Sequence, residues 1–368
     1  MRPFLSQLVL IAILTHALPF ANAVVADLPQ SKKLIEFGWD EPDTAFIRAH
    51  LAELERTPFD GCVFHADAVG LDAKSVSFTW TGWGTRAFTR DELQKAVADL
   101  KATPFKRFTH NFLRFNTTPA DVDWFDDYSA IVNNAKLAAQ FATDTDCAGI
   151  LFDTEQYTGK LFNYSAQRDA KTKSWDQYAA QVRKRGREVM QAFQAGDPNV
   201  TLFLTFGYTL PFRQCQGDRA KLAKAQYGLL VPFLDGMLDA ASSNSRIIDG
   251  YESSYSFKDT TRFAPAYATM KSAVLPLVAD PQKYQSHFSF GFGIWLDNNW
   301  RRLGWHTDDL SKNFYSPEAF EKTVEAALNR SDQYVWIYSE TPKWWTASGK
   351  PDKLPDAYDL ALRKAAGQ

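Results

Sequence analysis

Eight short apolar runs alternate with longer amphipathic segments along the whole chain, and this rhythm constrains the fold more than any other feature. The runs cover residues 34–37, 62–65, 107–111, 149–153, 201–206, 247–251, 288–296 and 334–339. Each is short and apolar enough for a strand buried on both faces. The segments between them carry helix signals. Asp43 precedes a run with Phe46, Ile47, Leu51 and Leu54 at helical spacing. Thr89 and Glu92 are the ends of a capping box, and Ser174 and Ser316-Pro317 are further helix starts. Alternating strands and helices imply parallel strands joined by crossovers. An open doubly wound sheet would carry a Gly-rich phosphate turn after its first strand. Here that turn reads Glu36-Phe37-Gly38-Trp39-Asp40-Glu41-Pro42, with no GxGxxG. The predicted fold is therefore α/β: a single (β/α)8 TIM barrel with elaborated loops at the C-terminal face of its strands.

Composition and short motifs exclude several chemistries. The 41 basic and 43 acidic residues nearly balance, which gives no electrostatic footprint for nucleic acid or an anionic membrane. His residues are few, and there is no CxxC, HxH or HExxH, so neither a metal nor another cofactor is expected. A serine hydrolase would show GxSxG, and none is present. Gly291 and Gly293 fall inside the seventh apolar run rather than in a phosphate loop. Arg2, the apolar stretch to Leu18 and the small-x-small triplet Ala21-Asn22-Ala23 predict a signal peptide over residues 1–23. The barrel would then occupy residues 24–368, in a secreted or periplasmic protein with no stable membrane insertion after cleavage. Cys62 and Cys147 lie in apolar, strand-like runs, and Cys215 is expected in a loop. The oligomeric state is not legible in the chain.

In a barrel of this kind the active site lies where the strands end. The predicted strand ends collect acids and aromatics: Glu36 and Trp39; His65; Asn111 and Arg114; Asp153, Glu155 and Tyr157; Tyr208; Tyr251 and Glu252; Trp295 and Asp297; Trp336, Tyr338 and Glu340. The sharpest motif is Gly149-Ile150-Leu151-Phe152-Asp153-Thr154-Glu155. With a period of two, Leu151, Asp153 and Glu155 share one face, an apolar residue inside and two carboxylates at the mouth. Two such acids cannot both ionise cheaply, so one pKa rises, as a general acid requires. Glu252, then Asp297, then Glu340 are the candidates for a partner carboxylate. The Trp80/Trp83 and Trp344/Trp345 clusters are expected in loops above the barrel, either packed or offering stacking surfaces.

The same seven residues resemble the fourth-strand signature of chitinase-like family 18 glycoside hydrolases and related barrel glycosidases. By that resemblance Glu155 matches the proton donor, and Asp153 the neighbouring acid that orients a substrate acetamido group. Leu151 stands where that family has its first Asp, and Thr154 where an aromatic is common. The resemblance thus implies a barrel glycosidase in general, without chitin specificity. The expected protein is an exported hydrolase of O-glycosidic bonds in an oligo- or polysaccharide, with Glu155, Asp153 and Glu252 as catalytic residues. His65, Asn111, Tyr208, Tyr251, Trp295, Asp297, Trp336 and Glu340 would line its sugar subsites. The alternative is a barrel that binds carbohydrate without cleaving it.

Overall fold

Eight parallel strands close on themselves in the computed structural model, which describes residues 31–71 and 73–368. They are β1 (Lys33–Glu36), β2 (Gly61–Phe64), β3 (Phe112–Asn116), β4 (Gly149–Asp153), β5 (Thr201–Leu204), β6 (Arg246–Asp249), β7 (Phe288–Phe290 and Phe292–Trp295) and β8 (Tyr334–Tyr338). The seam closes through β7, which is broken at Gly291. Its first half pairs with β6, its second half with β8, and the Gly291 N–H donates to Asp249 O. β8 in turn pairs with β1, Lys33 opposite Tyr334 and Ile35 opposite Trp336. The result is the predicted (β/α)8 barrel. The expected signal segment, residues 1–23, and its cleavage point before Val24 lie outside the described residues.

Alternation along the strands divides the apolar residues between two cores. Ile35, Val63, Phe112, Leu151, Phe203, Ile248, Tyr334 and Trp336 fill the barrel interior. Leu34, Phe64, Phe152, Leu202 and Leu204 face outward into the layer beneath the helices. Rings floor the barrel: Phe112, Phe203 and Tyr334 meet at centroid distances of 5.4–5.6 Å. The helices begin where their caps predict. Asp43 Oδ1 accepts from the Phe46 N–H at 2.7 Å and starts Thr44–Leu54, and Ser174 with Gln177 forms a capping box at the head of Trp175–Gly196. Thr89 and Glu92 bond each other's backbone N–H as expected.

Two expectations are corrected. The third strand is Phe112–Asn116, not residues 107–111. Arg107 instead clamps the preceding loop, donating to the carbonyls of Glu55, Thr57 and Phe59. Cys215 is not loop-borne; it ends the short helix Thr209–Cys215 and is buried. Among the described residues no helix is long and apolar enough to cross a membrane.

Candidate active site

A cavity of about 640 Å³ opens at the C-terminal ends of the strands. β1 and its loop contribute Phe37, Trp39 and Glu41, the end of β2 gives His65, and β3 gives Arg114. Glu155 and Tyr157 follow β4, Thr205 follows β5, and Glu252 and Tyr255 follow β6. Trp295, Tyr338 and Glu340 come from the last two strands, and Trp80 closes one side. Three large aromatics among the described residues remain substantially exposed, and all three stand on this cavity: Trp39 at 63%, Tyr157 at 43% and Trp80 at 39%.

Beneath the cavity Asp153 anchors the floor. It is fully buried, and four donors occupy its two oxygens. Oδ2 accepts from Arg114 Nη2 at 2.8 Å and from the Tyr157 hydroxyl at 2.9 Å. Oδ1 accepts from the Glu155 N–H at 3.0 Å and from Thr205 Oγ1 at 3.1 Å. The carboxylate therefore fixes the start of the β4 loop and has no oxygen left to orient a substrate group, the role the resemblance implied. Arg114 also donates to Glu41 Oε2 at 2.7 Å, and its guanidinium lies 4.7 Å from the Trp80 ring and 4.8 Å from that of Phe37. Burial pushes the Glu41 carboxyl up, but Arg114 and His65 outweigh it and hold it below the usual range. Burial opposes the His65 charge, and Glu41 overcomes it and raises that imidazole.

Glu155 and Glu252 are the two acids in the cavity without a cation bound to them. Burial raises the Glu155 carboxyl first, then the Asp153 charge, while Tyr157 and Arg114 pull it back. Glu252 is pushed well above its usual value by burial, then by the charges of Glu155 and Asp153. The effect of the Glu155 charge on Glu252 puts the two acids within electrostatic reach of one another. Glu340 is engaged otherwise: its Oε2 accepts from Trp300 Nε1 at 2.6 Å and Arg301 Nη2 at 2.8 Å, and its Oε1 from the Tyr338 hydroxyl.

Of the residues expected to line the mouth, His65, Trp295 and Glu340 do so, and five do not. Asn111 precedes β3 at the opposite end of the barrel, where it accepts from the Cys62 N–H and donates to Phe108 O. Tyr208 is fully buried outside the barrel, with its hydroxyl on Asp235. Tyr251 takes a left-handed conformation (φ 44°) that turns its ring onto Phe257 and Phe292. Asp297 lies under the β8 loop, accepting from Trp295 Nε1 and from the Glu340 and Thr341 N–H groups. Trp336 is fully buried inside the barrel, with Nε1 donating to Gly250 O. Its indole lies against the β7 backbone, which Gly293 permits; a Cβ there would stand 2.6 Å from the ring. Trp83, Trp344 and Trp345 are packed, leaving Trp80 alone of the loop clusters to face the site. Arg114, Tyr157 and Tyr338, expected at the strand ends but given no role, also line the cavity, and Glu41 and Tyr255 were not among the expected site residues. Arg114 was findable, since it stands two residues beyond the interior Phe112 on the same strand face.

A second acidic pair lies behind the β1 loop. Asp40 Oδ2 accepts from the Trp344 and Trp345 N–H groups at 2.6 and 3.1 Å. Its Oδ1 and both oxygens of the fully buried Glu36 meet no donor. A proton held between the two carboxyls supplies the missing bond. Burial, then the Asp40 charge, raises Glu36 well above its usual value, and burial raises Asp40 as well.

No family model matches the chain, and no curated protein matches it. Solved structures similar to it include an endocellulase from Pyrococcus horikoshii in complex with cellotetraose, at 9% identity over 92% of both chains and a TM-score of 0.47. A GH5-4 broad-specificity endoglucanase from Bacteroides salanitronis is 13% identical over 86% of this chain and 84% of its own, at 0.46. A GH18 chitinase from Flavobacterium johnsoniae is 10% identical over 92% and 94%, at 0.35. Likenesses at this level leave the chemistry to the residues themselves.

Proposed function

We propose that the protein is an exported glycoside hydrolase, matured before Val24, that cleaves an O-glycosidic bond of an oligo- or polysaccharide between Glu155 and Glu252. The observation that carries this reading is that pair: two carboxyls with raised pKa values share one aromatic-rimmed cavity, while the third acid, Asp153, is locked by Arg114. Exposed Trp and Tyr rings suit the apolar faces of sugars, and the carboxylates, Arg114 and tyrosine hydroxyls set among them suit sugar hydroxyls. Mutual repulsion makes double ionisation costly, so the pair retains one proton between its members. We assign that proton to Glu252, because Tyr157 and Arg114 favour the charged form of Glu155. Glu252 then protonates the departing oxygen, and Glu155 serves as base or nucleophile. This exchanges the roles expected from the sequence, in which Glu155 was the acid.

Glu252→Gln and Glu155→Gln, assayed on natural glycosides and on aryl glycosides with acidic leaving groups, test the assignment. Loss of the acid costs roughly 10²–10⁴-fold on natural glycosides and far less on activated ones. Glu252→Gln is expected to show that contrast, and Glu155→Gln to lose activity on both. The reverse pattern returns the acid to Glu155. Glycan binding with no turnover in the unaltered protein would make it a non-catalytic carbohydrate-binding barrel.

A further inference from the structure

A second cavity, of about 420 Å³, adjoins the first between the β1 and β8 loops. Trp39, Glu41 and His65 line both, so the two share one wall. Beyond that wall the lining of the second cavity includes Phe46, Trp345, Ala347 and Lys343 together with the acids Asp40 and Asp43. Two features of it are unexplained by the first cavity alone. Trp39 leaves 63% of its surface in solvent, although an exposed indole is unfavourable unless something covers it. Lys343 is half-buried, 5.6 Å from the Trp39 ring, and among the described residues its ammonium has no carboxylate within ion-pair distance. Burial accordingly draws the Lys343 ammonium below the usual lysine value. An aromatic platform flanked by three unused N–H donors suits a ligand with apolar faces and hydroxyl edges.

We propose that this second cavity is a further saccharide subsite, and that the ligand is an oligosaccharide that crosses Trp39 and occupies both cavities at once. The inference rests on the glycosidase reading and adds a length requirement to it. It also couples length to chemistry. A sugar in the second cavity touches Glu41 and His65, and Glu41 shares Arg114 with Asp153, which holds the Glu155 backbone. Remote binding energy of this kind can be expressed in turnover as well as in binding.

The test uses a series of oligosaccharides of increasing length, of whichever glycan the protein cleaves. In the unaltered protein kcat/KM is expected to rise about ten-fold at the length that first reaches beyond Trp39, the order of one aromatic contact with its covered area. Ala347→Trp fills the second cavity from an exposed position that does not line the first. It should abolish the rise and leave the shortest substrate unaffected. Should that variant lose activity on every length through misfolding, Lys343→Ala gives the same readout, a loss confined to long substrates. A rise that survives both variants, or no rise in the unaltered protein, overturns this inference while the roles of Glu155 and Glu252 stand on the shortest substrate. A protein that neither binds nor cleaves any glycan overturns both.

Discussion

Replacing Asp153 by Asn keeps the shape of the floor and removes its charge. An amide offers one acceptor and one donor group where the carboxylate offers two acceptors. If Nδ2 takes the place of Oδ2, it faces the Arg114 Nη2 donor, while the Tyr157 hydroxyl can turn to accept; if it takes the place of Oδ1, it faces the Glu155 N–H, while the Thr205 hydroxyl can turn to accept. Either orientation forfeits one of the four bonds and sets two N–H donors against each other. Arg114 keeps Glu41 but loses its buried partner. Breaking a buried ion pair from one side costs about 3–5 kcal/mol, and the one lost bond that leaves a buried donor unpaired accounts for about 1–3 kcal/mol within that figure. Denaturant unfolding at neutral pH should therefore show Asp153→Asn less stable by about 3–5 kcal/mol. The rate profile should move too. The Asp153 charge raises both Glu155 and Glu252, so its loss lowers both and carries both limbs of the bell toward lower pH. A stability loss under about 1 kcal/mol with both limbs unmoved would refute the role given to Asp153.

Three further outcomes follow from the packing and the buried charges. Trp336→Ala removes a fully buried indole from the barrel interior, and it should cost about 3–5 kcal/mol in unfolding free energy; a near-neutral variant would return Trp336 to the mouth. The protonated Glu36–Asp40 pair contributes stability that is complete below the ordinary glutamate pKa and is lost as pH rises toward the raised value of the folded state. Glu36→Gln, which needs no proton to bond Asp40, should thus gain on the unaltered protein as unfolding is measured from pH 5 to pH 8, and a constant difference would refute the shared proton. N-terminal sequencing of exported protein should begin at Val24, and material that keeps Ala23 would refute the cleavage point.

The rhythm of apolar runs was enough to give the barrel, because its strands are buried on both faces and announce themselves without tertiary help. The β4 motif was equally legible: Leu151 lies inside, Phe152 outside, and Asp153 and Glu155 follow at the top. What failed was local. Residues 107–111 look like a strand end, but Arg107 serves the carbonyls of a neighbouring loop, and the resulting shift carried Asn111 to the wrong end of the barrel. Tyr208 and Tyr251 do follow their strands, yet a short helix beginning at Thr209 and a left-handed turn swing their rings into the outer core. Period-two reasoning stops at the last paired residue, and both tyrosines lie beyond it. Glu41 was missed for the same reason. Its place is set by Arg114 and His65, which come from other strands.

The broken strand β7 and the β8–β1 ladder bear on how the chain is made. The registers that seal the barrel join Lys33 to Tyr334 and Ile35 to Trp336, about as far apart in sequence as this fold allows. Loop-closing contacts of such separation form late. While the chain is being synthesised, the edge of β1 stays unpaired until the last strand emerges, and an apolar unpaired edge invites strand addition from other chains. A chain arrested before Tyr334 would lack the wall that carries Tyr338 and Glu340. A complete cavity wall and protection from aggregation would thus arrive together, with the final tenth of the polypeptide.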